Sequence, residues 1–179
     1  LMNLWSQCEL HNDAALLAVG GYGRSELFPY SDVDILILLP DHQSETLSAR
    51  VEQFIAQCWD AGVEIGSSVR NSAECLSEAV QDITVRTSLL EARFLGGNRA
   101  LFTQFSKAYW NAMDPKAFFQ AKLLELKQRH QKYQDTPYSL EPNCKESPGG
   151  LRDIQIITWV SKAAQFGNGF QDLYKKGII

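Results

Sequence analysis

The sequence predicts an α+β fold, a small sheet flanked by helices and followed by a helical C-terminal part. Three observations carry that reading. The apolar runs at residues 14–19 and Val33–Leu39 are short and closed by glycine or proline, as buried strands are. Residues 63–69 set Val63, Ile65, Ser67 and Val69 against Glu64, Gly66 and Ser68, the period of a half-buried strand. From Ser72 onward the apolar residues instead recur every three or four positions, which is helical spacing.

Taken in order, residues 1–13 predict a short helix ended by His11-Asn12-Asp13, and residues 14–19 a first strand closed by Gly20 and Gly21. The stretch YGRSEL reads as a short helix, and the second strand stops at Pro40. Residues 44–60 put Leu47, Val51, Phe54, Ile55, Cys58 and Trp59 on one stripe, with Gly62 just past the end. The third strand follows at 63–69. AECLSEAV and ITVRTSLLEARFL predict two helices, the second ended by Gly96 and Gly97, and residues 99–113 a third. Asp114-Pro115 marks a restart, because Asp caps a helix well and Pro suits its first turn. Residues 116–133 then continue as helix, TPYSLEPNCKESPGG forms a loop, and LRDIQIITWVSKAAQF returns to helical spacing. The expected division is a core at 1–97 and a helical region at 98–179.

Composition narrows the function classes. At 179 residues, 45% hydrophobic and 21% charged, the chain is an ordinary globular one. Its apolar runs are too short to span a bilayer, and its first ten residues lack the pattern of a signal peptide, so a cytoplasmic protein is expected. Cys8, Cys58, Cys75 and Cys144 show neither a zinc spacing nor a disulfide framework, and read as reduced thiols. A net charge of -4 argues against a long nucleic-acid partner, which demands clustered Lys and Arg. Leu1 at one end and Gly177-Ile178-Ile179 at the other make the chain read as a piece of something longer.

The chemistry concentrates in LLAVGGYGRSELFPYSDVDILILL. Alternate residues of a strand share a face, so Asp32 and Asp34 point the same way with Cα atoms roughly 7 Å apart. Two carboxylates so close repel unless a cation lies between them, and their oxygens are the hard ligands Mg²⁺ prefers alongside water and phosphate. Gly20, Gly21 and Gly23 allow backbone N–H groups to approach a phosphate, and Arg24 offers it a fork of donors. A glycine turn alone is more often only a turn. This one lacks the Gly-Lys-Ser/Thr of a P-loop and the glycine spacing of a dinucleotide fold. Followed by an acidic pair at the head of an apolar strand, it points to a phosphate cradle beside a divalent ion, a site suited to in-line phosphoryl displacement.

GG, a spacer and an Asp-hydrophobic-Asp triplet opening a strand resemble the signature of the DNA-polymerase-β-like nucleotidyltransferase superfamily, whose sheet is small and mixed. More narrowly, VGGYGRSELFPYSDVDILIL with KESPGGLRDIQIITWV is similar to the N-terminal transferase region of the bacterial PII uridylyltransferase/uridylyl-removing family. The resemblance implies transfer of UMP from UTP to a tyrosine of the nitrogen-regulatory PII protein, with Mg²⁺ or Mn²⁺. It implies that Asp32 and Asp34 bind metal and that Gly20 and Gly21 hold the triphosphate, with Arg24 and Ser31 beside them. Glu64 is the candidate third carboxylate, although Gly66 falls by spacing where that acid is expected.

In the later motif Gly149 and Gly150 open a helix at Leu151, and Lys145, Gly150 and Arg152 are candidates for the nucleotide side. Without the resemblance this motif reads as a helix start. Lys116, Lys122, Lys127, Arg129 and Lys132 read as a solvated basic face, and His11, His42 and His130 as isolated histidines. The family's uridylyl-removing step belongs to a separate His-Asp hydrolase domain, and no His-Asp pair occurs in this sequence, so the last helices are expected to lead toward it. Two rivals are an adenylyltransferase of the same fold acting on another acceptor, and a nucleotide-sensing module without catalysis.

Overall fold

The computed structural model describes residues 1–138, 141 and 143–179. Ser139, Leu140 and Pro142 of the expected loop lie outside the described residues. Two compact units result, Leu1–Ala112 and Met113–Ile179.

The first unit runs α1 (Met2–Gln7), β1 (Ala15–Ala18), α2 (Gly20–Gly23), β2 (Val33–Leu39), α3 (Glu45–Asp60), β3 (Ile65–Asn71), α4 (Ser72–Gln81), α5 (Ile83–Leu90), β4 (Arg93–Gly97) and α6 (Arg99–Asn111). Its sheet is ordered β3-β2-β1-β4. β2 pairs antiparallel with β1 and parallel with β3, so the sheet is mixed, as the resemblance implied. The parallel pair requires a crossover, and α3 supplies it. Ser44 caps that helix by accepting from the Leu47 N–H at 3.2 Å.

Strand alternation sorts β2 into two faces. Ile35, Ile37 and Leu39 join Leu16, Ile65, Leu47, Val51 and Phe54 in the core beneath α1 and α3. Trp5 of α1 meets Phe54 edge to face with centroids 5.1 Å apart. Asp34, Leu36 and Leu38 share the opposite face, and α6 lies against β1, β2 and β4.

Two local expectations change. The short helix consists of the glycines themselves rather than following them: Gly23 N–H donates to Val19 O at 2.9 Å and Arg24 N–H to Gly20 O at 3.3 Å, and Ser25 at φ 64 ends the turn. ITVRTSLLEARFL is not one helix. It stops at Leu90, and Arg93, Phe94 and Gly96 pair along the open edge of β1, because a buried four-residue strand leaves backbone groups that an edge strand satisfies. Gly97 (φ +94) ends β4 where a Cβ would lie 2.2 Å from the Ala14 carbonyl oxygen.

The second unit holds α7 (Pro115–Lys132), α8 (Leu151–Ala163) and α9 (Phe170–Lys175). Asp114 caps α7 and Pro115 is its first residue. The basic helix is not wholly solvated, because Lys122 and Arg129 are buried where α7 packs on α8. Lys122 Nζ donates to Glu125 at 2.5 Å and lies 4.5 Å from the Trp159 ring centre. Burial lowers the Lys122 pKa, and Glu125 partly restores it. Arg129 pairs with Asp153, and His130 lies 3.0 Å from the same carboxylate, so that histidine is not isolated.

Among the described residues, no helix is long and apolar enough to cross a membrane. The thiols of Cys8, Cys58 and Cys75 are buried and that of Cys144 is exposed. Burial raises the first two thiols and pushes Cys75 up to about 11. A thiol reagent at about pH 8 is expected to modify Cys144 promptly and the other three only on unfolding. Rapid titration of all four in the native protein would contradict this packing.

Candidate active site

The site is built where β1 ends and β2 begins. Val19 N–H donates to the Asp34 carbonyl at 3.1 Å, which brings the glycine turn beside the head of β2. Asp32 precedes the strand and is exposed, while Asp34 is its second residue and half-buried. Of the expected pair, only Asp34 lies within the strand itself.

The placement of Asp34 depends on two absent side chains. A Cβ on Gly20 would come within 2.8 Å of Asp34 Oδ2, and one on Gly66 within 2.7 Å of Asp34 Oδ1. Gly66 is the register partner of Asp34 across the parallel pair, so the carboxylate sits between β3 and the turn in space only glycine leaves. Gly20 also takes φ +56, a conformation that costs other residues about 1 kcal/mol or more.

Glu64 is exposed and lies just ahead of β3. Its carbonyl accepts from the Val33 N–H at 2.9 Å, which ties it to the residue between the two aspartates. Ser31 is exposed, and its N–H donates to Phe28 O at 3.0 Å. Arg24 Nε donates to Glu26 at 2.8 Å, so part of its fork is committed to a neighbouring carboxylate.

The donor set suits a hard divalent ion. Among the described residues, no group of three His, Cys, Asp or Glu side chains is arranged to hold a metal. Mg²⁺ is commonly held by one or two carboxylates while water and substrate phosphates complete its shell, and the exposed Asp32 leaves room for both. The pair fits such an ion.

In the second unit the KESPGG loop closes on itself. Leu151 N–H donates to Cys144 O and Arg152 N–H to Lys145 O, each at 2.9 Å, while Gly149 N–H donates to Asp153 at 2.8 Å. Gly150 N–H donates to Ser147 O at 2.9 Å, and a Cβ there would lie 2.8 Å from that oxygen. These N–H groups are spent on the loop rather than presented to an anion. Arg152 reaches Gln155 at 3.0 Å and Glu146 at 3.3 Å, while the Lys145 side chain is exposed. Asp153, which holds Arg129, His130 and Gly149 together, gave no sequence signal beyond its place in a first helical turn.

A mixed sheet with a glycine turn, an acidic pair and a glycine opposite the second acid defines a nucleotidyltransferase domain. Residues 1–90 match the family model described as Nucleotidyltransferase domain, and the chain belongs to that family. Residues 117–179 match the family described as GlnD PII-uridylyltransferase. Over its full 179 residues the chain is 58% identical to a Bifunctional uridylyltransferase/uridylyl-removing enzyme of Cupriavidus metallidurans and 59% identical to one of Burkholderia orbicola. It spans 21% of the length of each of these curated relatives and corresponds to their N-terminal region.

Proposed function

We propose that the protein transfers UMP from UTP to a tyrosine of the nitrogen-regulatory PII protein in the cytoplasm, releasing pyrophosphate. The observation that carries this reading is the Asp34 carboxylate seated between Gly20 and Gly66 at the head of β2, with Asp32 exposed beside it. The names of the full-length relatives support uridylyl over other nucleotidyl transfer.

Asp32 and Asp34 hold Mg²⁺ or Mn²⁺, which when bound neutralises charge developing on the phosphate oxygens. The glycine turn gives the triphosphate close backbone approach, and Arg24 adds positive charge. Glu64, tied to Val33, takes the proton from the incoming tyrosine hydroxyl. The tyrosine oxygen bonds to the α-phosphorus as the bond to the β-phosphate bridging oxygen breaks. The electron pair leaves with pyrophosphate.

Incubating the intact protein with PII and α-labelled UTP or ATP tests the reading. Label on PII from UTP, with release of pyrophosphate, is expected. Label from ATP alone makes the domain an adenylyltransferase, and metal-dependent nucleotide binding without pyrophosphate release makes it a sensor.

A further inference from the structure

We propose that Arg93 is the positioning residue of the glycine turn, a role that rests on the transferase reading above. Arg93 opens β4 and pairs with Ala18, the last residue of β1. Its Nε donates to Gly23 O at 3.1 Å and its Nη2 to Tyr22 O at 2.8 Å, while its guanidinium lies 5.4 Å from the Tyr22 ring centre. The carbonyls at the C-terminal end of α2 are thus gathered by one planar fork.

The turn is pressed from behind as well. A Cβ on Gly23 would lie 2.2 Å from the Glu91 carbonyl oxygen and 3.1 Å from that of Ala18. Gly23 therefore rests on the connection between α5 and β4, and Arg93, two residues further on, fastens it there. The other end of the same turn is Gly20, whose backbone faces the Asp34 carboxylate. Arg93 thereby fixes the height of Gly20 and Gly21 relative to Asp34.

Two features separate this role from general support of the fold. Arg93 is exposed and is not one of the buried core residues, meeting the core only at its margin through the partly buried Tyr22, so its loss loosens the turn and leaves the sheet packed. Two carbonyl partners suit a guanidinium fork, whereas an ammonium offers a point charge. A loosened turn weakens nucleotide binding more than the chemical step, which is the signature to seek.

In the intact protein, Arg93→Gln is expected to raise KM for UTP about tenfold, the worth of about one hydrogen bond from a charged donor, with kcat nearly unchanged. Arg93→Lys is expected to recover part of that loss. The Gly23 and Arg24 amides, which donate to Val19 and Gly20, are expected to exchange hydrogen faster in Arg93→Gln while those of β2 keep their protection. Unchanged exchange at those two amides overturns the proposal, as does a loss confined to kcat. If the wild-type protein moves no nucleotide, the transferase reading fails, and amide exchange still decides whether Arg93 holds the turn.

Discussion

Asp34→Asn is expected to reduce the proposed UMP transfer about 10³-fold, the equivalent of several kcal/mol of lost charge stabilisation, while thermal unfolding stays close to wild type. The side chain keeps its shape and its seat between Gly20 and Gly66, so packing is preserved. The bond that ties Asp34 to Val19 uses the main-chain carbonyl and survives. What disappears is the negative charge a hard cation requires. Asp32→Asn, on an exposed residue ahead of the strand, should abolish transfer with even less effect on folding. Single-turnover transfer of labelled UMP, read beside a melting curve, checks both. Near-normal turnover by either variant would sink the acidic-pair mechanism.

Gly66→Ala is expected to lower transfer by about 10²-fold, comparable to removal of one preorganised stabilising group, at little cost in stability. The added methyl would stand 2.7 Å from Asp34 Oδ1 but 4.0 Å from Asp34 Cα, so the carboxylate must swing aside while the strands stay in place. Alanine in a strand recovers about 0.5 kcal/mol of the entropy glycine loses, which further separates activity from folding. Gly20→Ala is a less clean variant because φ +56 adds backbone strain. Full activity in Gly66→Ala would show that the seat of Asp34 is not critical, and the expected pattern is a fall in kcat with an unaltered melting temperature.

Much of this architecture is legible in the residues because its signals are local. Val33–Leu39 is a run of branched and leucine residues ended by proline, and it forms β2 with those bounds. Asp114 announces a helix start through its own side chain and caps α7 as expected, and Ser44, at the start of the stripe read over 44–60, caps α3. The resemblance made Glu64 the candidate third carboxylate with Gly66 at the spacing where that acid is expected, and the strand register puts Gly66, not Glu64, opposite Asp34.

The features that were not legible depend on partners distant in sequence. Arg93 and Phe94 continue a helical spacing, and Gly96 reads as its end, until the edge of β1 claims all three. Lys122 and Arg129 look like members of a solvated stripe, and become buried because α8 brings Trp159 over one and Asp153 against the other. Arg93 carries no motif at all. Its role depends on two carbonyls about seventy residues earlier, a relation only the folded chain displays.

The alternation of β2 has a further consequence for how the chain finds its fold. A slip of one residue between β2 and β3 would turn Asp34 toward the apolar layer now filled by Ile35 and Ile37, and turn Ile35 toward the site. An ionised carboxylate buried among leucines and isoleucines costs several kcal/mol, so the misaligned sheet is rejected during assembly. The acid proposed to serve the reaction thus also proofreads the alignment of the strands, and a molecule that passes this check already has its carboxylate at the solvent end.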